Sequence, residues 1–223
     1  MNRLCLQRAY HIGPMDADRI GGRLWREDMS EFLLSRGCIP LNPYEKPMHS
    51  VSNNGLEDDE SFEMMCQARD KEDYDTLAKL INPIRHVDLR MVDHADFIIC
   101  NLDYDKKPTG TFDEIFTAER QKKPILLHCP QGKKNISFWL FDVIPHEWMF
   151  DSWDEMKEYL VHIDTASDEE IDDKGRWIFF DMEPVVTDIL KRRKKREQGW
   201  QQFPEVKNMF EDFNMADERD LDY

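Results

Sequence analysis

Short apolar runs alternate with longer amphipathic stretches along most of the chain. The runs are flanked by polar and turn-forming residues, a pattern typical of strands buried on both faces of a parallel sheet. They predict five strands, at residues 4–12, 38–41, 97–100, 124–127 and 148–150. The stretches between them repeat apolar residues near helical spacing, so strands and helices are expected to alternate.

The amphipathic stretches predict the helices that cover the sheet. In the first of them, Ile20, Leu24, Phe32 and Leu33 form the face expected to pack on the strands. A capping residue and an acidic first turn, beginning at Asp151-Ser152, predict the start of the last of these helices. The predicted helices of this part span 18–36, 84–94 and 151–163, with one more that begins after Pro108.

A charged helical insertion is predicted at 45–83, between the second and third strands. It holds a helix over 57–81 with a thin apolar stripe and a break near 70–73. Asn82-Pro83 is expected to end it, because the residue before a proline avoids the helical region. We expect this insertion to lie over the mouth of the sheet.

Alternating strands and helices with right-handed crossovers predict an α/β fold, a doubly wound parallel sheet of five strands in the order 2-1-3-4-5. This domain is expected to span 1–163. The composition then changes and predicts a charged C-terminal extension, 164–223, with one helix at 184–200 that contains a basic run. The apolar run 177–180 is expected to dock on the rest of the protein.

The charge of the chain limits its partners. The 223 residues have a formal net charge of −16, which argues against binding to a nucleic-acid polymer or an anionic membrane. No run is long and apolar enough to span a bilayer, and the first residues show no signal-peptide pattern. The five cysteines are scattered, which favours reduced thiols and a cytoplasmic protein, and their spacing indicates no metal site. No cofactor is predicted.

Candidate chemistry is concentrated in the strand–helix–strand unit of 88–128. Glu114 is expected in the first turn of its helix, just past the carboxyl end of a strand, where open α/β sheets bind ligands. Gly110 and the hydroxyls of Thr109 and Thr111 suit close approach of a polar ligand. Asp88 lies on the preceding helix, and two carboxylates are what glycosyl transfer needs. Alternatively, a Glu in a first helical turn only stabilises the helix.

Three segments in this order resemble the nucleoside 2-deoxyribosyltransferase family and its nucleotide N-glycosidase relatives. They are Tyr10-His11-Ile12-Gly13-Pro14-Met15, Asp88 with Asp96 and the strand that follows, and Gly110-Thr111-Phe112-Asp113-Glu114. The resemblance covers roughly residues 4–130. It implies a flavodoxin-like fold and a double displacement at the anomeric carbon of a nucleoside.

The resemblance also implies roles for residues. Glu114 would be the nucleophile, Asp88 would handle the proton of the base, and Tyr10 would orient Glu114 through its hydroxyl. Pro108 stands where many family members have an acidic residue that contacts the base, and Asp103 is one of the nearest carboxylates before it. The predicted substrate-binding residues are Gly13, Met15, Asp16, Asn42, Asp103, Gly110 and Thr111.

The expected activity is cleavage or transfer of the N-glycosidic bond of a 2′-deoxynucleoside or its 5′-monophosphate. A second base as acceptor would make a transferase, and water a hydrolase. A phosphate site would involve Arg19, Gly21-Gly22 and Arg23, which otherwise form helix surface. The alternatives are a non-catalytic nucleotide-binding or protein-interaction module, or an N-glycosidase acting on a nicotinamide dinucleotide. By analogy with the family, a homo-oligomer is expected.

Overall fold

Five parallel strands form a sheet in the order β2-β1-β3-β4-β5. The structure is a computed structural model, and it describes residues 2–15, 19–46, 59–167, 169–171 and 175–200. The strands are β1 (Arg8–Ile12), β2 (Ile39–Leu41), β3 (Phe97–Asn101), β4 (Ile125–His128) and β5 (Met149–Phe150). The predicted flavodoxin-like α/β class and strand order are therefore confirmed.

Helices follow the strands on both faces of this sheet. In the first unit of the chain they are α1 (Arg19–Ser35), α2 (Asp59–Asp70), α3 (Tyr74–His94), α4 (Thr109–Arg120), α5 (Leu140–Val143) and α6 (Trp153–Thr165). One more helix, α7 (Glu183–Trp200), follows in a separate unit. Successive residues of β1 point to opposite faces: Tyr10 bonds to α4, while the ring of His11 packs on Trp25 of α1. Ser152 caps α6 as predicted, since its hydroxyl accepts a hydrogen bond from the amide of Glu155 at 3.2 Å.

The first strand is shorter than predicted, because it begins at Arg8 rather than Leu4. Residues 3–6 form a turn in which Leu6 has a φ of 63°. Leu4 is fully buried there, and its amide donates to Asp164 Oδ1 at 3.0 Å. An apolar run predicts that a segment is buried, but it does not predict that the whole segment is a strand. Here the first part of the buried run forms a turn.

Helix α1 buries only part of the predicted face, since Leu33 is in the core and Phe32 packs against it. Gly22, Arg26, Met29 and Leu33 are buried, whereas Leu24 is 61% exposed. The side chain of Ile20 lies outside the described residues. The spacing of the buried set is helical, but one of its members is an arginine and one a glycine, so hydrophobicity alone found only part of the face.

The insertion is a pair of helices, α2 and α3. The predicted break is confirmed: Glu72 has a φ of 56°, and Asp73 Oδ1 accepts from the amide of Thr76 at 3.1 Å to cap α3. The predicted end at Asn82 is wrong, because α3 continues through Pro83 to His94. A proline inside a helix costs about 3 kcal/mol, and burial of the three apolar residues beyond it offsets this cost: Ile84, Met91 and Val92.

The chain divides after Phe180 into two compact units. Residues 164–180 are part of the first, where Trp177 is buried and stacks on Phe179 with ring centroids 5.4 Å apart. Ile178 and Phe180 are exposed, so half of the predicted apolar run docks. In the second unit, the structure describes α7 with its basic run. The boundary at 163/164, inferred from composition, stays a prediction.

Among the described helices, none combines the length and the apolar character that a membrane span requires.

Candidate active site

A cavity of about 600 Å³ opens at the carboxyl end of β1. Its walls come from β1 and the loop after it (10–15), from the turn at Pro43-Tyr44, from α2 and α3, and from the first residues of α4. The predicted insertion therefore forms one wall of the cavity, with Phe62 and Met65 of α2 and Ile81 of α3 as apolar lining. The site lies where the topology of an open α/β sheet places a ligand.

Tyr10 and Glu114 are joined by a short hydrogen bond in the wall of this cavity. The phenol of Tyr10 donates to Glu114 Oε1 at 2.7 Å, and both side chains are buried. Tyr10 is held by a strand in the interior of the sheet, and Glu114 is held by α4. The predicted contact between the two residues is thus present.

Glu114 does not lie in the first turn of its helix. Helix α4 begins at Thr109 after Pro108, which makes Glu114 its sixth residue, and its first turn holds no acidic residue. The macrodipole acts on groups within the first turn, so it stabilises a Glu114 carboxylate less than expected. The hydroxyl of Tyr10 is the closer source of stabilisation.

Asp88 lines the same cavity from α3. Its Oδ1 lies 2.8 Å from Nζ of Lys46, in an ion pair whose side chains are only 17% and 7% exposed. Burial raises the pKa of the Asp88 carboxyl, and Lys46, Arg26 and a hydrogen-bonding contact with the Tyr10 hydroxyl partly oppose this rise. Tyr10 therefore interacts with both carboxyl groups, and Asp88 is easier to protonate than an exposed aspartate.

Arg26 is a fully buried cation beside these groups that the sequence reading missed. Its guanidinium donates to the carbonyl oxygens of His11 (3.3 Å), Gly22 (2.8 Å) and Gly13 (2.9 Å). It also lies 4.5 Å from the ring centroid of Trp25. Arg26 thus fixes the loop that leaves β1. The sequence signal for Arg26 was its helical spacing with the buried residues of α1. A buried arginine needs hydrogen-bond acceptors around it, so this spacing predicts a polar site.

Four of the predicted substrate-binding residues line the cavity: Gly13, Met15, Gly110 and Thr111. A Cβ on Gly13 would lie 2.9 Å from the carbonyl oxygen of Asn101, so glycine is needed there for close packing of backbones. A Cβ on Gly110 would meet nothing within 4 Å. The buried Thr111 hydroxyl has no hydrogen-bond partner among the described residues.

The other three predicted substrate-binding residues are not part of this lining. Asn42 accepts from the amide of Tyr44 at 3.1 Å and shapes the turn after β2. Asp103 accepts from Gln131 Nε2 at 2.6 Å. Asp16 lies outside the described residues. Of the residues considered for a phosphate, the guanidinium of Arg23 lies 4.8 Å from the ring centroid of Tyr44, and the side chain of Arg19 is outside the described residues.

No protein-family model matches the chain, and no curated protein does. Among solved structures, a 2-deoxyribosyltransferase from the psychrotolerant bacterium Bacillus psychrosaccharolyticus is 16% identical, with a TM-score of 0.48 over 68% of this chain and 91% of that one. A 2-desoxiribosyltransferase from Leishmania mexicana is 17% identical, with a TM-score of 0.36 over 55% of this chain and 64% of that one. Likeness at this level assigns neither a family nor an activity to the chain.

Proposed function

We propose that this protein is an enzyme that breaks the N-glycosidic bond of a 2′-deoxynucleoside or its 5′-monophosphate, through a covalent intermediate on Glu114. The observation that supports this most is the 2.7 Å hydrogen bond from Tyr10 to Glu114 in a cavity that Asp88 also lines. It gives one carboxylate that is oriented and one carboxyl that is easily protonated. These are the two groups that a double displacement at a glycosidic carbon requires.

In the first half of the reaction, an oxygen of Glu114 attacks C1′ of the sugar. The bond from C1′ to the base nitrogen breaks, its electron pair goes to the base, and the base takes a proton from Asp88. The raised pKa of Asp88 suits this donation, because the proton is present near neutral pH more often than on an exposed aspartate.

In the second half, an acceptor attacks C1′ and releases Glu114. A second base gives transfer and water gives hydrolysis. Dividing the displacement into two steps lowers the barrier of each. A 2′-deoxy sugar suits this chemistry, because the positive charge that develops at C1′ is less destabilised without the 2′-hydroxyl.

The cavity has the size and the lining that this substrate class needs. Its volume of about 600 Å³ lies within the range of small-molecule sites, roughly 300–1,000 Å³. The apolar side chains of α2 and α3 suit the flat faces of a base. The Thr111 hydroxyl offers a hydrogen bond to the sugar or its substituents.

The test is base release from a panel of deoxynucleosides, their 5′-monophosphates and nicotinamide dinucleotides, followed by product chromatography. The Glu114→Ala variant is expected to lose at least about a thousandfold in rate, as nucleophile variants do. Asp88→Asn is expected to slow release strongly while leaving the fold intact. The matched control is Glu119→Ala, which removes a glutamate from the outer end of the same helix, where it pairs with Lys122.

The outcomes separate the proposal from its alternatives. Turnover that persists in Glu114→Ala removes the nucleophile assignment. Turnover of a dinucleotide alone changes the substrate class and keeps the carboxylate chemistry. Tight nucleotide binding without turnover of any member of the panel favours a binding module, and the enzyme proposal is then wrong.

A further inference from the structure

Lys46 is the most buried cation among the described ion pairs, with only 7% of its side chain exposed. A buried ammonium is costly unless an anion lies close to it. Here Nζ lies 2.8 Å from Oδ1 of Asp88. The pair joins the turn after β2 to α3, so a residue distant in sequence reaches the carboxyl that the proposed reaction uses as its acid.

The charged and titratable groups around Asp88 come from four elements. Tyr10 faces it from β1, Arg26 from α1 and Lys46 from the turn after β2. Glu114, on α4, lies behind Tyr10 and is bonded to it. Of the two cations, Lys46 lowers the pKa of Asp88 more than Arg26 does, and it has the direct contact.

Proton donation changes the charge of Asp88 inside this buried site. Only the protonated form of Asp88 can donate, and in that form the carboxyl is neutral. When its proton passes to the leaving base, a carboxylate forms where burial opposes it. A cation at 2.8 Å stabilises this new charge as it appears, which makes Asp88 a stronger acid without exposing it to water.

We propose that Lys46 is a positioning residue of this reaction: it fixes the Asp88 carboxyl and stabilises the carboxylate that forms when the base leaves. The inference rests on the proposed function. Lys46 keeps its own proton throughout, and the proton taken up by the base comes from Asp88. In the second half-reaction, the same ion pair holds Asp88 while it takes a proton back from the acceptor.

The experiment compares two substrates that differ in their need for a proton. A 2′-deoxyguanosine leaving base must be protonated, whereas the N7-methylated counterpart already bears the positive charge and leaves without an acid. The variants are Lys46→Met, Lys46→Gln and Lys46→Arg. Lys122→Met is the control, because it removes an exposed lysine that pairs with Glu119. Gln keeps a hydrogen-bond donor without the charge and serves if the Met variant does not fold.

Lys46→Met and Lys46→Gln are expected to slow release of the unmethylated base about 10- to 100-fold, less than the roughly 10²- to 10⁴-fold of a general acid, because Asp88 itself is retained. Release of the methylated base is expected to stay within about twofold. The wild-type rate falls as pH rises and Asp88 loses its proton. Without the cation the Asp88 pKa rises, so this fall moves to higher pH by about one unit. Lys46→Arg is expected to restore most of the wild-type rate and pH profile.

Equal slowing of both substrates, or an alkaline limb that does not move, would overturn the role of Lys46 and leave the Glu114 mechanism standing. A wild-type protein that releases a base from no member of the deoxynucleoside and deoxynucleotide panel would overturn both proposals. Carbon-13 NMR titration of the Asp88 carboxyl in wild type and Lys46→Gln measures how Lys46 changes the pKa of Asp88, and it needs no turnover. An Asp88 pKa that is the same in both proteins would also reject the inference.

Discussion

At the scale of single residues, His11 is a titratable group of the cavity lining whose surroundings oppose its protonation. Its ring is fully buried against Trp25, and neither ring nitrogen has a hydrogen-bond partner among the described residues. Burial, with the charge of Arg26, lowers the pKa of His11 to about 3. The ring is therefore neutral at neutral pH, and its protonation is coupled to folding.

The His11 pKa predicts a loss of stability in acid. Unfolded His11 binds a proton near its ordinary pKa of about 6.5, while the folded protein binds it only near 3. Between these values the unfolded state holds more protons, so falling pH favours unfolding. The free energy of unfolding is expected to decrease by at most about 5 kcal/mol over this window through His11.

His11→Leu removes this contribution, so the variant is expected to lose less stability than the wild type between pH 6.5 and about 4. Urea unfolding at several pH values measures the difference. His162→Gln, which changes an exposed histidine, serves as the control. Equal pH dependence in wild type and His11→Leu would show that His11 binds protons equally in both states.

The sequence indicated some residues of the site and not others, for a physical reason. Tyr10, Asp88 and Glu114 belong to the three segments that carry the family resemblance, and the structure brings them to one cavity. Lys46 follows a turn in a polar stretch, and nothing local shows that its ammonium reaches Asp88. Such a contact depends on how the chain returns over the sheet, which is a property of the tertiary structure.

At the scale of elements, the start of α4 sets the geometry of the site. Thr109, Gly110 and Thr111 are its first three residues, and all three line the cavity. Gly110 lies in open space, since a Cβ there would meet nothing within 4 Å. Close packing inside the protein therefore does not require glycine at this position, and the proposed function assigns it to close approach of the ligand.

Gly110→Ala is expected to separate stability from binding. Alanine in a helix is favoured over glycine by about 0.5–1 kcal/mol, so the melting temperature should rise slightly. The added methyl group projects into the space of the substrate, so KM should rise several-fold. Thermal unfolding and steady-state kinetics measure the two effects, with Arg120→Ala at the other end of α4 as the control. A variant with unchanged KM would mean that no ligand approaches Gly110.

Element boundaries were predicted where a residue dictates them and missed where packing does. The break before α3 was found because Asp73 caps the helix. The continuation of α3 through Pro83 was not predicted, because burial of Ile84, Met91 and Val92 outweighs the tendency of proline to end a helix. Leu4 is buried whether its segment is a strand or a turn, so an apolar run could not distinguish the two.

At the scale of the whole molecule, residues 164–180 are tied to the first unit by specific contacts. Asp164 accepts from the buried amide of Leu4 at 3.0 Å and pairs with Arg36 at 3.2 Å. Trp177 packs against Phe97 of the central strand β3, with ring centroids 5.1 Å apart. The boundary at 163/164 was inferred from the acidic composition of the stretch that follows it, and it stays a prediction.

Two truncations test where the domain ends. A protein that stops after Phe180 keeps these contacts and is expected to unfold cooperatively, as a compact unit does. A protein that stops after Ile163 loses the Asp164 acceptor and the buried Trp177, and removal of such an indole alone costs about 3–5 kcal/mol. Urea unfolding of the full-length Trp177→Ala variant measures the contribution of this indole to the free energy of unfolding separately. If the shorter protein is as stable as the longer one, the contacts of 164–180 contribute little and the boundary at 163/164 is correct.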